Sequence, residues 1–259
     1  MLQTDKYLLL ADTTLSFKNK KILEVGGCTP SELISKYDPL QWVSVDLNYS
    51  NVERCRNDKK KPNHIDYIYE NICMYSGPDE EFDIVYSVNS FEHITDLKSA
   101  LDNIYRVLKN NGHVFSVFGP IWSSHVGHHL SLNTQFGDLN FRNNILSPWM
   151  HLESKHKVYS EILTNYDKAT AERAIHYIYH SYDINRLHLN HYQDLLKQAK
   201  LTKVCVLYNR SGPKDRRYSR VKEILWVLRK NHPFFLEKIY VHIKLIFGLF
   251  KILLRKYII

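Results

Sequence analysis

The chain has 259 residues, 44% of them hydrophobic and 24% charged, so it can bury a full core; length and composition favour one domain with additions over two domains or a disordered chain. Its net charge of +8 is unevenly placed: residues 212–259 carry 12 Lys and Arg against 3 Asp and Glu, whereas residues 1–211 carry 23 against 24. A nucleic-acid enzyme would spread cations around its cleft, and a body this nearly neutral excludes that class; four scattered cysteines with no CxxC pair exclude a zinc knuckle or a disulfide framework.

The N-terminal stretch 1–12 lacks the basic start and the length of an export signal, which leaves a cytoplasmic location. Lys20–Val25 reads as a short buried strand closed by Gly26 and Gly27. Thr29, Pro30 and Glu32 then predict a capping box opening a helix. A second strand, Trp42–Asp46, ends in an acid. After the charged run Lys59–Lys61, further strands are expected at Ile65–Tyr69 and Phe82–Val88. Apolar residues at 97, 100, 101, 104 and 108 predict a helix stopping at Gly112, and "HVFSVFG" follows as a fifth strand.

From Pro120 to about Asn185 the pattern breaks into a stretch rich in His, Asn and Trp, with one helical piece near Ala169–Tyr179. We read it as an insertion covering the active site. Helix "HLNHYQDLLKQA" and strand "LTKVCVLY" resume the alternation, and "EILWVLRK" is expected to close the sheet as a last antiparallel strand. The expectation is a doubly wound, mostly parallel seven-stranded α/β sheet over residues 1–230, with the insertion at 120–185, and a basic amphipathic tail at 231–259. Ligands of such a sheet lie beyond the carboxyl ends of its strands.

The segments "KKILEVGGCT", "VSVDL", "YENI" and "EEFDIVYSVNSFEHITD" together resemble the class I S-adenosylmethionine-dependent methyltransferases, in particular the type 11 small-molecule group, over roughly residues 18–118. The resemblance implies S-adenosylmethionine as cofactor. It places Glu24, Gly26 and Gly27 at the amino-acid end of the cofactor, Asp46 and Leu47 at the ribose, Asn71 and Ile72 at the adenine, and Ser87 and Val88 on the methionine side. The chemistry agrees: a glycine turn lets backbone approach a ligand, and a strand-end carboxylate can accept two ribose hydroxyls. Cys28 and Pro30 depart from the family's later glycines. The rival, an NAD-binding domain, needs a G-x-G-x-x-G that "GGCTPS" does not supply.

Methyl transfer to a hydroxyl needs alignment and a base. His93 in "FEHITD" either serves that chemistry or braces its loop. In "FGPIWSSHVGHHL", Trp122, Ser123 and His125 suit a substrate ring, and His128 and His129 are candidate bases; the alternative is a surface loop with solvated histidines. No metal is expected, since His128 and His129 with Glu92 or Asp96 lack diagnostic spacing. The turn "SVNS" is unlike the Asp/Asn-Pro-Pro-Tyr/Phe turn of base N-methylating enzymes.

The same loop looks like that of bacterial polysaccharide methyltransferases, which implies O-methylation of a sugar hydroxyl in a cell-surface glycan or related polar metabolite. The alternatives are a lipid or quinone methyltransferase and an inactive cofactor-binding partner subunit. In the tail, Glu237, Lys244, Gly248, Lys251 and Arg255 fall at helical spacing beside a wide apolar face. Charges interrupt it too often for a membrane span, so it is read as a peripheral helix on the inner membrane face, or else as a helix docked on protein.

Overall fold

The computed structural model describes residues 3–231 and 235–257, with the side chains of 5–231 and 235–252. Residues 232–234 and 258–259 of the expected tail, and the side chain of Arg255, lie outside the described residues. In chain order the body runs α1 (Gln3–Leu15), β1 (Lys21–Val25), α2 (Ser31–Ile34), β2 (Gln41–Asp46), α3 (Tyr49–Arg56), β3 (Ile65–Tyr69), β4 (Phe82–Val88), α4 (Leu97–Val107) and β5 (Leu108–Phe118). The inserted region holds the hairpin β6 (Ser131–Thr134) and β7 (Gly137–Asn140), then α5 (Met150–Glu153), α6 (Lys155–Leu163) and α7 (Lys168–His180). The chain continues with α8 (Leu189–Gln198), β8 (Leu201–Arg210), β9 (Val221–Lys230) and α9 (Phe235–Tyr257).

The strands form one seven-stranded sheet in the order β3-β2-β1-β4-β5-β9-β8, parallel through β5, with β9 antiparallel to both of its neighbours. Central strands in a doubly wound sheet are covered on both faces, and the apolar runs of β1, β2 and β4 are buried almost end to end. On one face α4 and α8 pack through Leu101, Ile104, Tyr192 and Leu196 against Leu23, Val85 and Trp226. On the other, α1, α3 and α9 supply Leu8, Val52, Val241 and Leu245 against Ile22, Trp42 and Tyr86. The inserted region has its own core around Leu130, Val158, Ile162, Ala174 and Ile178.

Three local expectations are corrected. The capping box at Thr29 does not form: the N-cap of α2 is Pro30, which makes no side-chain cap bond, because the Thr29 hydroxyl donates to the buried Glu24 carboxylate instead. The helix after β4 ends at Val107, not Gly112, because Leu108 already pairs with Phe82 in the ladder. Strand β9 is antiparallel as expected, yet it lies inside the sheet with β8 at the edge, which explains its long apolar run.

Candidate active site

Strand order reverses between β1 and β4, and a cavity of about 760 Å³ opens there at the carboxyl edge. Its floor is the turn after β1, where Gly26 (φ +70°) and Gly27 (φ +114°) adopt left-handed backbone that a side chain rarely tolerates. A Cβ on Gly26 would lie 2.3 Å from Ser90 Oγ, so the turn after β4 packs directly on glycine backbone.

Below this turn Glu24 is fully buried. Its carboxylate accepts hydrogen bonds from the Thr29 backbone and hydroxyl, Trp42 Nε1 (3.1 Å) and the Ser44 hydroxyl. Burial pushes its pKa up in spite of those bonds. Glu24 thus holds the shape of the turn. Asp46 caps it from β2: Oδ2 accepts from Gly27 N at 2.7 Å and Oδ1 from Asn48 N at 2.6 Å. Each oxygen retains a lone pair for a vicinal diol.

Further round the wall stand the exposed Leu47, the buried Ile72 and the half-buried Val88. Asn71 lines the cavity and caps the short turn 72–74, its Oδ1 accepting from Cys73 N at 2.9 Å. Ser87 does not line the cavity: its side chain is buried in the sheet and its hydroxyl donates to Val25 O at 2.9 Å. Val88, Asn89 and Ser90, the next three residues, reach the cavity instead.

His93 lines the cavity, and its Nδ1 bonds the Asp183 carbonyl oxygen. A carbonyl only accepts, so Nδ1 carries the proton and Nε2 keeps a free lone pair. Glu92, beside it, is buried and accepts from Gly119 N at 2.9 Å, while its backbone oxygen accepts from Asn185 N at 2.9 Å. The Asn185 amide donates to Phe91 O and Ile94 O. These bonds staple segment 91–94 to the end of the inserted region, so that Tyr177, Tyr182 and Asp183 become the far wall of the cavity. Burial and the Asp183 carboxylate push Tyr177 up to about 12.

Sequence reasoning missed that wall. It searched strand ends, whereas these three residues come from and after α7; Asn48 and Ser90, by contrast, stand beside strand ends and were findable by that same rule.

The residues of the loop after β5 lie elsewhere. None of Trp122, Ser123, His125, His128 and His129 lines the cavity. Trp122 packs in the core of the inserted region, edge-on to His151 and Tyr179. The Ser123 hydroxyl accepts from Leu189 N at 3.1 Å, and His125 packs beside Trp149, with burial lowering its pKa. His128 is buried, Nδ1 accepting from Leu130 N, and burial holds its pKa well below the usual imidazole range. His129 donates from Nε2 to Pro120 O at 2.6 Å, stacks on Phe141, and is pushed by burial and neighbouring His93 down to about 3. Its ring meets that of His93 edge to face, 5.2 Å between centroids. So of the histidines expected near the chemistry, the fold brings His93 to the cavity and sets His129 behind it. Among the described residues no group of three or more His, Cys, Asp or Glu is arranged to hold a metal ion.

The residues present fit the chemistry of a nucleoside with an amino-acid tail: a Cβ-free turn, a carboxylate able to accept from a diol and an apolar shelf at Ile72. Residues 23–116 match a family model described as a methyltransferase domain. Sterol 24-C-methyltransferase ERG6A of Gibberella zeae is 30% identical over 103 residues, which are 38% of this chain and 27% of that protein; the chain thus spans about a quarter of the curated relative it matches. An S-adenosylmethionine-dependent methyltransferase from Mesorhizobium loti superposes with a TM-score of 0.56 at 13% identity, covering 87% of this chain and 97% of that one. N-methyltransferase NodS from Bradyrhizobium japonicum, solved with S-adenosyl-L-homocysteine, gives 0.50 at 15%, covering 89% and 88%. Those structural likenesses concern the fold, and together with the matched segment they support an S-adenosylmethionine-dependent methyltransferase built around residues 23–116.

Proposed function

We propose that the chain methylates a hydroxyl of a sugar or related polar acceptor, with His93 as the base. One observation carries the reading: His93 stands in the cavity with Nδ1 tied to the Asp183 carbonyl, which fixes the ring and leaves Nε2 as an acceptor. Gly26, Gly27, Asp46 and Ile72 would hold the cofactor, which would supply an electrophilic methyl group. His93 Nε2 would take the proton of the acceptor hydroxyl as its oxygen is methylated. Tyr177, Tyr182 and Asp183 offer hydroxyls, a carboxylate and ring faces to a polyhydroxylated acceptor, which is then a glycan or small metabolite and not a nucleic acid.

The second reading, a lipid or quinone acceptor, draws on α9. Its inner side packs on α1 and β8, but Phe235, Leu236, Tyr240, Ile243, Phe247 and Phe250 are exposed. No helix among the described residues is long and apolar enough to cross a membrane. Our reading is a cytoplasmic enzyme whose α9 rests on the inner membrane face. The sterol enzyme's match spans 38% of this chain and 27% of that protein, too little to carry its acceptor over to this chain.

The test is transfer of labelled methyl to crude glycan and lipid extracts by wild type and His93→Gln, with S-adenosylhomocysteine affinity measured in parallel. We expect label in the glycan fraction, a loss of roughly 100-fold or more in kcat for the variant, and unchanged cofactor affinity. Label confined to lipid supports the second reading. Cofactor binding without turnover on any extract identifies an inactive partner subunit.

A further inference from the structure

A second cavity, of about 320 Å³, lies at the opposite end of the strands, between the end of α1, the starts of β1 and β4, the entry to β5 and the first turns of α9. Its charged lining is Lys20, Lys109 and Lys244 against Asp83 and Glu237. Both carboxylates are already engaged. Asp83 accepts from Lys21 N at 2.9 Å and from Lys109 Nζ at 3.1 Å, while Glu237 is held by His113 Nε2 at 2.8 Å and by Arg229. None of the ion pairs among the described residues uses Lys20 or Lys244. Lys244 lies over the Tyr240 ring, 4.5 Å from its centroid.

Tyr240 joins this cavity to the exposed stripe of α9: it lines the cleft, is 57% exposed, and continues at helical spacing into Ile243 and Phe247, which are 59% and 55% exposed. A cleft with two ammonium groups outside the ion pairs, opening onto an apolar stripe, has the two halves of an anionic amphiphile's binding site. The geometry points to an anionic phospholipid as its occupant, the headgroup phosphate between Lys20 and Lys244 and the acyl chain along Tyr240, Ile243 and Phe247. This rests on the reading that the outer face of α9 meets a lipid surface.

The site also orients the enzyme. Lys20 precedes β1 and Asp83 begins β4, whereas the cofactor cavity is built on Val25, Asp46 and Val88 at the other ends of the parallel strands. With the headgroup cleft on the bilayer, the acceptor mouth opens toward water. That geometry suits a polar acceptor over one whose reacting atom is buried among acyl chains.

The experiment is co-sedimentation of the full chain with phosphatidylcholine vesicles, with and without phosphatidylglycerol. Four proteins are compared: wild type, Lys20→Glu/Lys244→Glu, the remote charge control Lys168→Glu/Lys197→Glu, and Ile243→Glu/Phe247→Glu. Cofactor affinity reports folding in each. We expect wild type to prefer phosphatidylglycerol, the cleft double variant to lose about tenfold or more of that preference, and the remote control to keep it. Equal losses in cleft variant and control make the attraction diffuse and overturn the headgroup site while leaving the lipid-surface reading intact. No vesicle binding by wild type, with a dimer that Ile243→Glu/Phe247→Glu dissociates, assigns the stripe to a second copy and overturns both. Saturation by inorganic phosphate without vesicle binding identifies a free-anion site and overturns the lipid.

Discussion

Glu92 illustrates how a single side chain couples the cavity to stability. It is buried, one carboxylate oxygen accepts from Gly119 N, and the other has no hydrogen-bond partner among the described residues. Burial outweighs the helpful field of His93 and raises its pKa to about 7. The native state therefore holds this proton more tightly than the unfolded chain. The stability it contributes is full below about pH 4.5, falls by about 1.4 kcal/mol per pH unit as pH rises toward 7, and is gone above that, a total on the order of 3 kcal/mol. Glu92→Gln keeps a carbonyl for Gly119 N and cannot ionise, so urea unfolding at successive pH values should show the variant gaining on wild type between pH 5 and pH 7. A difference that does not change with pH would contradict this. Such residues were illegible in sequence. "FEH" directed attention to His93, but that Glu92 is buried depends on Gly119 and Asn185, far away in the chain. Ser87 shows the converse: one position before the cavity in a strand of period two, it turns into the sheet and leaves Val88, Asn89 and Ser90 on the wall.

At the scale of elements, periodic ones were readable and the inserted region was not. Strands β1 to β4 and helix α7 were predicted nearly to the residue because their apolar spacing reflects a core on known sides. The inserted region instead packs rings, Trp122 on His151 and His128 on His151 within it, and Trp149 on Tyr218 of the connection between β8 and β9. A histidine in such a core looks in sequence like a catalytic or solvated one. Its burial makes a prediction. His151 donates from Nε2 to Trp122 O at 2.8 Å and burial lowers its pKa to about 4, with His129 lower still. The unfolded chain takes up these protons first, near pH 6.5, so the stability given by neutral rings is full above that value and is lost as pH falls toward 4. Limited proteolysis between residues 120 and 185 should accelerate from pH 7 to pH 5. In His151→Gln, whose amide can still donate to Trp122 O but does not titrate, that acceleration should shrink. Faster cleavage at the higher pH would reverse the sign and refute the account.

For the whole molecule, the mostly parallel sheet followed from the alternation of strands and helices rather than from any one residue, the inner place of β9 did not, and the carboxyl-edge rule located the cavity before its far wall was known. What sequence could not supply was the distribution of the inserted region: its core stands apart, and only residues 177, 182 and 183 reach the site. On the proposed function, this division separates cofactor binding, assigned to the sheet, from acceptor binding, assigned to the join. A ligand that binds only the native state stabilises it by about 2.7 kcal/mol at a hundred times its Kd, and for a chain of this size each kcal/mol moves Tm by roughly 2–4 °C. S-adenosylhomocysteine at that excess should therefore raise Tm by roughly 5–10 °C, while NAD should not raise it. Asp46→Ala, which removes both the Gly27 anchor and the diol acceptor, should abolish most of the shift at the same concentration. Tyr182→Ala, an 86% exposed residue on the acceptor wall, should leave it intact. If Tyr182→Ala abolished the shift as fully as Asp46→Ala, the inserted region would be part of the cofactor site, and the division of labour between sheet and insertion would fail.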